Sequence, residues 1–379
     1  MSIIIFIIIL LVLVLVHEFG HFFSAKKFGI RVDEFGFGFP PKLFGIKKGE
    51  TEYTFNLLPF GGFVKIFGET PDEESISGPD ASRSFINKPA WKQAIVLFTG
   101  VFANFLLAWI IFSFSFMSGL PTSVGEEANG YELKDVHTVV VSVLPKSPAD
   151  VAGLKTGDKI VSLKSGNQFT TFISPETIKS FATNSKKDPA HNASGIADAG
   201  GGLEIGYVRG KITEPINIVN IKPKSSESGE LMIGISMDQI GIEKLPFYMA
   251  FWEGLKLDWS VTKDTVSGLF GLIKGAIMGK GSFSSVTGPV GMVGVVGDAY
   301  KFGFNYLLSF AGLISVNLAI INLLPFPALD GGRLLFLLIE KIKGSKMNPK
   351  VTNIANMAGF AVLIILMLFV TYHDVVKLL

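Results

Sequence analysis

The chain has 379 residues, of which 48% are hydrophobic and only 17% are charged, and its net charge is +2. Because about a quarter of the residues of a typical soluble domain are charged, this composition is that of an integral membrane protein with a smaller polar part. The small net charge gives no indication of a nucleic-acid partner, and the absence of cysteine excludes disulfides and thiolate metal ligands.

Four apolar segments are long enough to predict membrane-spanning helices. They run from about residue 2 to 24, 94 to 118, 302 to 329 and 354 to 372. The first lacks the basic start and small-residue cleavage site of a signal peptide, so we expect it to be retained. Lysine and arginine cluster after the first span and between the last two, which predicts a cytoplasmic location for those loops. The segment from about 119 to 301 and both termini are then expected outside.

The first span ends in His17-Glu18-Phe19-Gly20-His21, which fits the His-Glu-x-x-His zinc motif of metalloproteases. Residues four apart share one face of a helix, so both imidazoles can bind one metal ion. Glu18 could then take the proton of a metal-activated water. Such a short pattern also arises by chance, but ionisable groups at membrane depth are unfavourable without a metal or partners. The motif therefore predicts a metal site.

Residues 33 to 70 contain short aromatic and β-branched runs bounded by glycine and proline, which predict strands and turns. We expect a β-hairpin that enters the membrane beside the metal, packed on protein or lining a wet cavity. Its edge could pair with an extended peptide. The alternative is a cytoplasmic loop whose aromatic side chains only touch the interface. The acidic segment from Thr70 to Ser84 is predicted to be a mobile loop.

The polar segment after the second span predicts one compact domain. Residues 139–143 are typical of a strand, 147–154 of a short capped helix, and 155–163 of a turn into a strand. This order resembles a PDZ domain of the form found in bacterial proteases. Such a domain can bind a peptide by strand addition, or act as a steric gate that binds nothing. Residues 186–202, rich in glycine and alanine, are predicted to form a loop.

Apolar residues recur at helical spacing from Phe247 to Ile273, while most charged residues fall on other faces. This pattern is typical of an amphipathic helix in the plane of the membrane interface. The alternative is a helix packed on the soluble domain.

A catalytic zinc ion usually has three protein ligands and one water, so His17 and His21 need a partner from elsewhere. Asp330 is the candidate, in the sequence from Asn322 to Gly332 at the end of the third span. Two prolines there disrupt a helix, and two glycines permit a tight turn around the acid. The alternative is a helix end that enters an ordinary cytoplasmic turn. With two histidines, one aspartate and no thiolate, Zn²⁺ is the favoured metal.

Together, these motifs resemble the site-2 protease family of intramembrane zinc metalloproteases, in its RseP-type bacterial branch. His-Glu-x-x-His pairs with the family's Asn-x-x-Pro-x-Pro-x-Leu-Asp-Gly-Gly sequence. The segments from Pro59 to Lys65 and from Gly288 to Gly291 resemble two further family elements. The resemblance covers most of the chain. One departure is that well-known members of the branch carry two tandem PDZ domains, whereas this chain has room for one.

The resemblance implies a polytopic α-helical membrane protein with four transmembrane helices, a membrane-associated β-hairpin region and an extracytoplasmic PDZ-like α+β domain. The expected division of the chain is as follows: residues 1–118 form the first two transmembrane helices and the β region, 119–240 the PDZ-like domain, 241–301 the amphipathic interfacial segment, and 302–379 the last two transmembrane helices.

The resemblance also implies roles for individual residues. His17, His21 and Asp330 are expected to bind Zn²⁺, with Glu18 as general base. Asn104, in the second span, is ambiguous from the sequence, which favours helix packing as its role. The residues expected to hold the substrate backbone are Asn322, Asn317, Phe60, Gly61, Gly62 and Phe63.

The implied activity is hydrolysis of peptide bonds in or near the span of single-span membrane proteins, such as anti-sigma factors or signal-peptide remnants, in regulated intramembrane proteolysis. The expected location is the bacterial inner membrane, with both termini and the PDZ-like domain extracytoplasmic and the active site near the cytoplasmic side. The expected partners are the bilayer, these substrates and a peptide at the PDZ-like domain. Two alternatives stay open: a membrane metal-ion transporter and an inactive PDZ scaffold.

Overall fold

The computed structural model describes residues 1–70, 72–126, 131–184, 202–210, 213–225, 231–279 and 287–378. The chain forms two compact units. The first contains residues 1–114, 248–297 and 308–379, and the second contains residues 115–247 and 298–307. Apart from Gly202, the predicted loop at 186–202 lies outside the described residues.

The described residues form helices and strands in both units. The helices are α1 (Ser2–Lys27), α2 (Glu73–Ser77), α3 (Ala90–Ser118), α4 (Pro148–Val151), α5 (Pro175–Asn184), α6 (Phe247–Ile277), α7 (Pro289–Phe302), α8 (Phe304–Leu323), α9 (Asp330–Lys343) and α10 (Pro349–Leu378). The strands are β1 (Val32–Lys48), β2 (Thr51–Ile66), β3 (Leu120–Ser123), β4 (Lys134–Val143), β5 (Lys159–Ser165), β6 (Gln168–Thr170), β7 (Leu203–Val208), β8 (Asn217–Ile221), β9 (Lys224–Ser225), β10 (Leu231–Met232) and β11 (Ile235–Glu243).

Within this described part of the chain, four helices are long and apolar enough to cross a membrane: α1, α3, α8 and α10. They coincide with the four predicted spans. A run of apolar side chains without charge favours a helix in lipid, because a helix makes all its backbone hydrogen bonds within the segment. The third span is shorter than predicted. It ends at Leu323, and an irregular segment follows before α9 begins at Asp330. Pro325 and Pro327 account for the break, since proline cannot continue the hydrogen-bonding pattern of a helix.

The predicted hairpin in the first unit is formed by β1 and β2. The first half of β1 lies between both ends of β2: Glu34 is paired with Glu52 on one side and with Lys65 on the other. The end of β2, residues 62–66, is therefore an outer strand, and β2 packs against α1. Glycines and bulges along this hairpin allow the chain to bend back on itself.

The segment predicted to be a mobile loop between residues 70 and 84 contains α2, apart from Pro71, which lies outside the described residues. Asp72 caps this helix reciprocally with Ser75: each side chain accepts a hydrogen bond from the backbone N–H of the other. The interpretation as a loop gave weight to the acidic composition and overlooked this capping pair.

Helix α6 packs on α3 and α8, which neither of the two sequence interpretations anticipated. The Trp109 indole N–H donates to the carbonyl of Phe251 at 2.9 Å, and Thr265 Oγ1 donates to Asn317 Oδ1 at 2.9 Å. A side chain at Gly254 would collide with Ser113, so a glycine is needed where α6 crosses α3. These contacts join α6 to the helices of the first unit.

The second unit is built on a seven-stranded antiparallel sheet. Its strand order is β3-β11-β4-β5-β7-β8, with β6 paired to β5. The predicted strand at 139–143 lies in β4 and the predicted short helix is α4, whose Ser147 side chain accepts the backbone N–H of Asp150. Aliphatic side chains from β4, β5 and β7, with Ile178 of α5, form its core.

Candidate metal centre

Three side chains from the first unit converge on one point. His17 Nε2 lies 3.0 Å from Asp330 Oδ2, His21 Nε2 lies 3.3 Å from the same oxygen, and the two nitrogens are 3.1 Å apart. Both histidines are buried, and the carboxylate is 17% exposed. Among the described residues, these three form the only group of histidines and acids with metal-ligand spacing.

The donor set fits zinc. Bonds of about 2.0–2.1 Å at tetrahedral angles place ligand atoms about 3.3 Å apart, close to the separations observed here. Apart from the two imidazole nitrogens of the cluster, Asp330 Oδ2 is buried and has no hydrogen-bond partner in the described parts of the chain. A buried acceptor without a donor is unfavourable, so a cation between these atoms would satisfy it. The fourth tetrahedral position would remain for water.

Asp330 reaches the histidines because the segment before it folds tightly. A side chain at Gly331 would collide with the carbonyls of Leu323 and Leu324, which close the end of α8. The same segment packs on α10, where a side chain at Gly359 would collide with the carbonyl of Pro327. Asp330 therefore lies in the first turn of α9, directly after a bend of the chain. The close contacts at Gly331 and Gly359 leave no room for a side chain, so both positions require glycine.

Helix α3 orients the ring of His21. The Nδ1–H of His21 donates to the carbonyl of Val96 at 2.8 Å, which leaves Nε2 with a free lone pair. Gly20 and Gly100 allow this approach, because a side chain at Gly20 would meet the carbonyl of Thr99 and one at Gly100 would meet the imidazole. Helices α1 and α3 can thus lie close enough for the carbonyl of Val96 to keep the proton of His21 on Nδ1.

Two asparagines flank the ring of His17. Asn322 Nδ2, from α8, lies 3.5 Å from Nε2 of His17, so it borders the point where the three ligand atoms meet. Asn104 Nδ2, from α3, lies 3.4 Å from Nδ1 on the other side of the ring. Asn317 is bonded instead to Thr265 of α6. Of the two asparagines predicted to hold substrate, only Asn322 lies at the cluster in this structure.

Glu18 lies between the cluster and the hairpin. Its Oε2 accepts the backbone N–H of Val64 at 3.1 Å. This N–H is directed at α1 rather than into the hairpin ladder, so the edge of the outer strand faces the site. The bond restricts the side chain of Glu18, the residue that follows His17 in the sequence.

The predicted hairpin residues lie on the same outer strand or just before it. Gly61 and Gly62 are buried, and a side chain at Gly62 would collide with Leu15 and with the carbonyl of Gly36. The ring of Phe63 stacks on that of Phe39, with centroids 6.4 Å apart. Phe60 lies in β2, but its side chain is outside the described residues.

The contribution of α3 to the site was not predicted from the sequence. Val96, Gly100 and Asn104 are spaced by four residues, so they form one stripe facing α1. Small and polar residues at this spacing in an otherwise apolar span indicate close helix packing. That pattern could have marked the stripe, but the contact with His17 and His21 could be found only from the fold.

This chain is similar to known proteins over nearly its full length. Residues 5–366 match Peptidase family M50. A relative from Clostridium perfringens, provisionally named a zinc metalloprotease, is 36% identical over 365 residues, covering 96% of this chain and 95% of the relative. One from Fusobacterium nucleatum with a similar name is 32% identical, covering 100% of this chain and 99% of the relative. Zinc metalloprotease RasP of Shouchella clausii is 27% identical, and 98% of each chain is covered.

Proposed function

Because this chain belongs to peptidase family M50, the site-2 protease family of zinc-dependent membrane proteases, we propose that it hydrolyses peptide bonds in or near the span of single-span membrane proteins. Zinc is the expected cofactor, as the names of the relatives indicate. The observation that carries the proposal is the convergence of His17, His21 and Asp330 beside Glu18.

In this proposal His17, His21 and Asp330 hold the zinc ion, and Glu18 is the general base. Bound zinc supplies a Lewis acid that polarises the scissile carbonyl and makes a water more acidic. Glu18 takes the proton of the attacking water and returns it to the leaving amine. The Val64 N–H holds one oxygen of the Glu18 carboxylate, which limits the rotamers from which the carboxylate can act.

The substrate is proposed to bind as an extended strand. A helical substrate hides its carbonyls in its own hydrogen bonds, so it must unwind before water can attack. The outer strand of the hairpin, residues 62–66, lies next to Glu18, and the Asn322 amide lies beside the proposed ligands, so both could contact an extended substrate backbone. In strand addition of this kind, main-chain hydrogen bonds to the peptide supply the affinity. Phe60, Gly61, Gly62, Phe63 and Asn317 are included as proposed contacts.

The second unit is proposed to be a PDZ-like domain. Its strand, capped short helix and second strand at residues 139–163 support this assignment. We propose that it covers residues 119–240 and that it binds a peptide or gates access to the site.

The distribution of lysine and arginine supports a location outside the cytoplasm for this domain and both termini, in a bacterial inner membrane. The metal site is then near the cytoplasmic side. A transporter or a scaffold would need no base at Glu18.

The test compares the wild type with Glu18→Gln, both purified in detergent, on a single-span model substrate, with zinc content measured in each. Glutamine keeps the size of the side chain but cannot accept the proton. We expect equal zinc and loss of cleavage in the variant. Equal cleavage by both proteins would remove Glu18 from the mechanism. Bound zinc with no cleavage by either protein, across several single-span substrates, would contradict the proposed activity.

A further inference from the structure

The side chain of Asn104 is fully buried in α3, and it faces His17. Its Nδ2 lies 3.4 Å from Nδ1 of the histidine. Its Oδ1 is buried and has no hydrogen-bond partner among the residues that the structure describes. A buried amide oxygen without a donor is unfavourable. If zinc binds His17 through Nε2, the neighbouring Nδ1 of the same ring carries a proton and becomes a donor.

Metal binding decides which nitrogen of His17 carries the proton. A histidine that binds through Nε2 has its proton on Nδ1, and this N–H needs an acceptor. A half-turn of the Asn104 amide about its Cβ–Cγ bond exchanges Nδ2 and Oδ1. The unpartnered oxygen then meets the Nδ1–H of His17, so one rotation pairs this oxygen with this N–H.

We propose that Asn104 is a positioning residue of the zinc site, whose amide oxygen accepts the Nδ1–H of His17 and keeps Nε2 free for the metal. The proposal rests on the zinc site proposed above and adds a residue that binds no metal itself. It differs from helix packing, the role that the sequence favoured for Asn104.

The second histidine of the cluster supports this assignment. The carbonyl of Val96 accepts the Nδ1–H of His21 at 2.8 Å, and Val96 lies two helical turns before Asn104 on the same face. One helix would therefore orient both rings, through a backbone oxygen for one and a side-chain oxygen for the other. The backbone of Asn104 is fixed separately, since Ser315 Oγ donates to its carbonyl at 2.9 Å.

The two possible roles of Asn104, packing of α3 and positioning of His17, predict different results. If Asn104 only packs α3 against its neighbours, its replacement lowers the stability of the zinc-free protein. If it positions His17, its replacement lowers the affinity for zinc. The backbone contact from Ser315 offers a matched control, because Ser315→Ala weakens packing at Asn104 but leaves the amide in place.

The experiment measures zinc affinity of the full-length protein in detergent by competition with a chromophoric chelator, together with the melting temperature of the zinc-free form. Asn104→Leu keeps the branched shape of the side chain but removes the acceptor. Asn104→Ala also removes the acceptor and is used if the larger leucine prevents folding. Asn104→Asp retains an acceptor oxygen. We expect the leucine and alanine variants to bind zinc about 10–100-fold more weakly, and the aspartate variant to bind it as the wild type does.

Unchanged zinc affinity in Asn104→Leu or Asn104→Ala would overturn the proposal. So would an equal loss in Ser315→Ala, or a failure of Asn104→Asp to restore binding. His17→Ala separates this proposal from the site itself. If it binds zinc as tightly as the wild type, the ligand assignment fails and the role of Asn104 fails with it; if it loses zinc, only the Asn104 variants decide.

Discussion

At the residue scale, the proposed metal centre depends on the lack of a side chain at Gly100. The ring of His21 occupies the space in which a side chain at position 100 would lie, and Cδ2 of the ring would be 2.8 Å from a Cβ there. The imidazole cannot withdraw easily, because its Nδ1–H is bonded to the carbonyl of Val96. Gly100 thus contributes to the site although it carries no functional group.

We therefore expect Gly100→Ala to displace His21 and to lower kcat/KM by about 10²-fold, the effect of a displacement of about 1 Å in a catalytic group. The measurement is cleavage of a single-span substrate, with zinc content determined in parallel. Gly271→Ala is the control, since nothing lies within 4 Å of a Cβ at that position of α6. A similar loss in both variants would show that the effect is not specific to the ligand.

At the element scale, α10 supports the site without supplying a ligand. The bend before Asp330 contacts this helix at two points: the Ala328 N–H donates to Asn356 Oδ1 at 3.2 Å, and the carbonyl of Pro327 lies against Gly359. Ala328 has a φ of +77°, a conformation that costs a residue with a Cβ about 1–2 kcal/mol. The contacts with α10 offset this strain, so the position of Asp330 depends on a helix that follows it in the chain.

Gly359→Val should push α10 away from Pro327 and weaken zinc binding by at least about tenfold, as changes behind a ligand usually do. Zinc affinity is measured by chelator competition on the purified protein. Met357→Val, on an exposed face of the same helix, is the control for changes in helix propensity. Equal affinities in the two variants would mean that α10 does not determine the position of Asp330.

At the scale of the whole molecule, all proposed zinc ligands and the proposed base belong to the first unit. Zinc would join α1 to α9, which are more than 300 residues apart in sequence. A ligand that binds only the folded state stabilises it by about 2.7 kcal/mol when its free concentration is 100 times Kd. This stabilisation should act on the unit that holds the ligands.

Removal of zinc by a chelator is therefore expected to speed hydrogen exchange of backbone amides in α1 and α9. Amides in β4, β5 and β7 of the second unit should keep their protection, because they contribute nothing to the cluster. Mass spectrometry of the chelated and zinc-loaded protein measures both sets. Equal acceleration in both units would contradict a zinc effect confined to the first.

Much of the architecture could be predicted because its causes are local. Apolar runs without charge predict spanning helices, and the spacing of His17 and His21 places both rings on one helical face. The capping of α4 by Ser147 is likewise a contact between neighbours in the sequence, so α4 could be predicted. The loop prediction for residues 70–84 was wrong where a capping pair outweighed an acidic composition, and the third span was predicted too long because its prolines were not used to end it.

The sequence alone determined the membrane class, the two paired motifs and the chemical types of the proposed ligands, since each depends on composition or on neighbours a few residues apart. Only the tertiary structure decided which groups meet. The contacts between His21 and Val96, between Glu18 and Val64, and between Asn104 and His17 join residues 46 to 87 positions apart. Such contacts depend on how closely helices and strands approach one another, and that distance is set by packing at glycines such as Gly20 and Gly100 rather than by any local pattern.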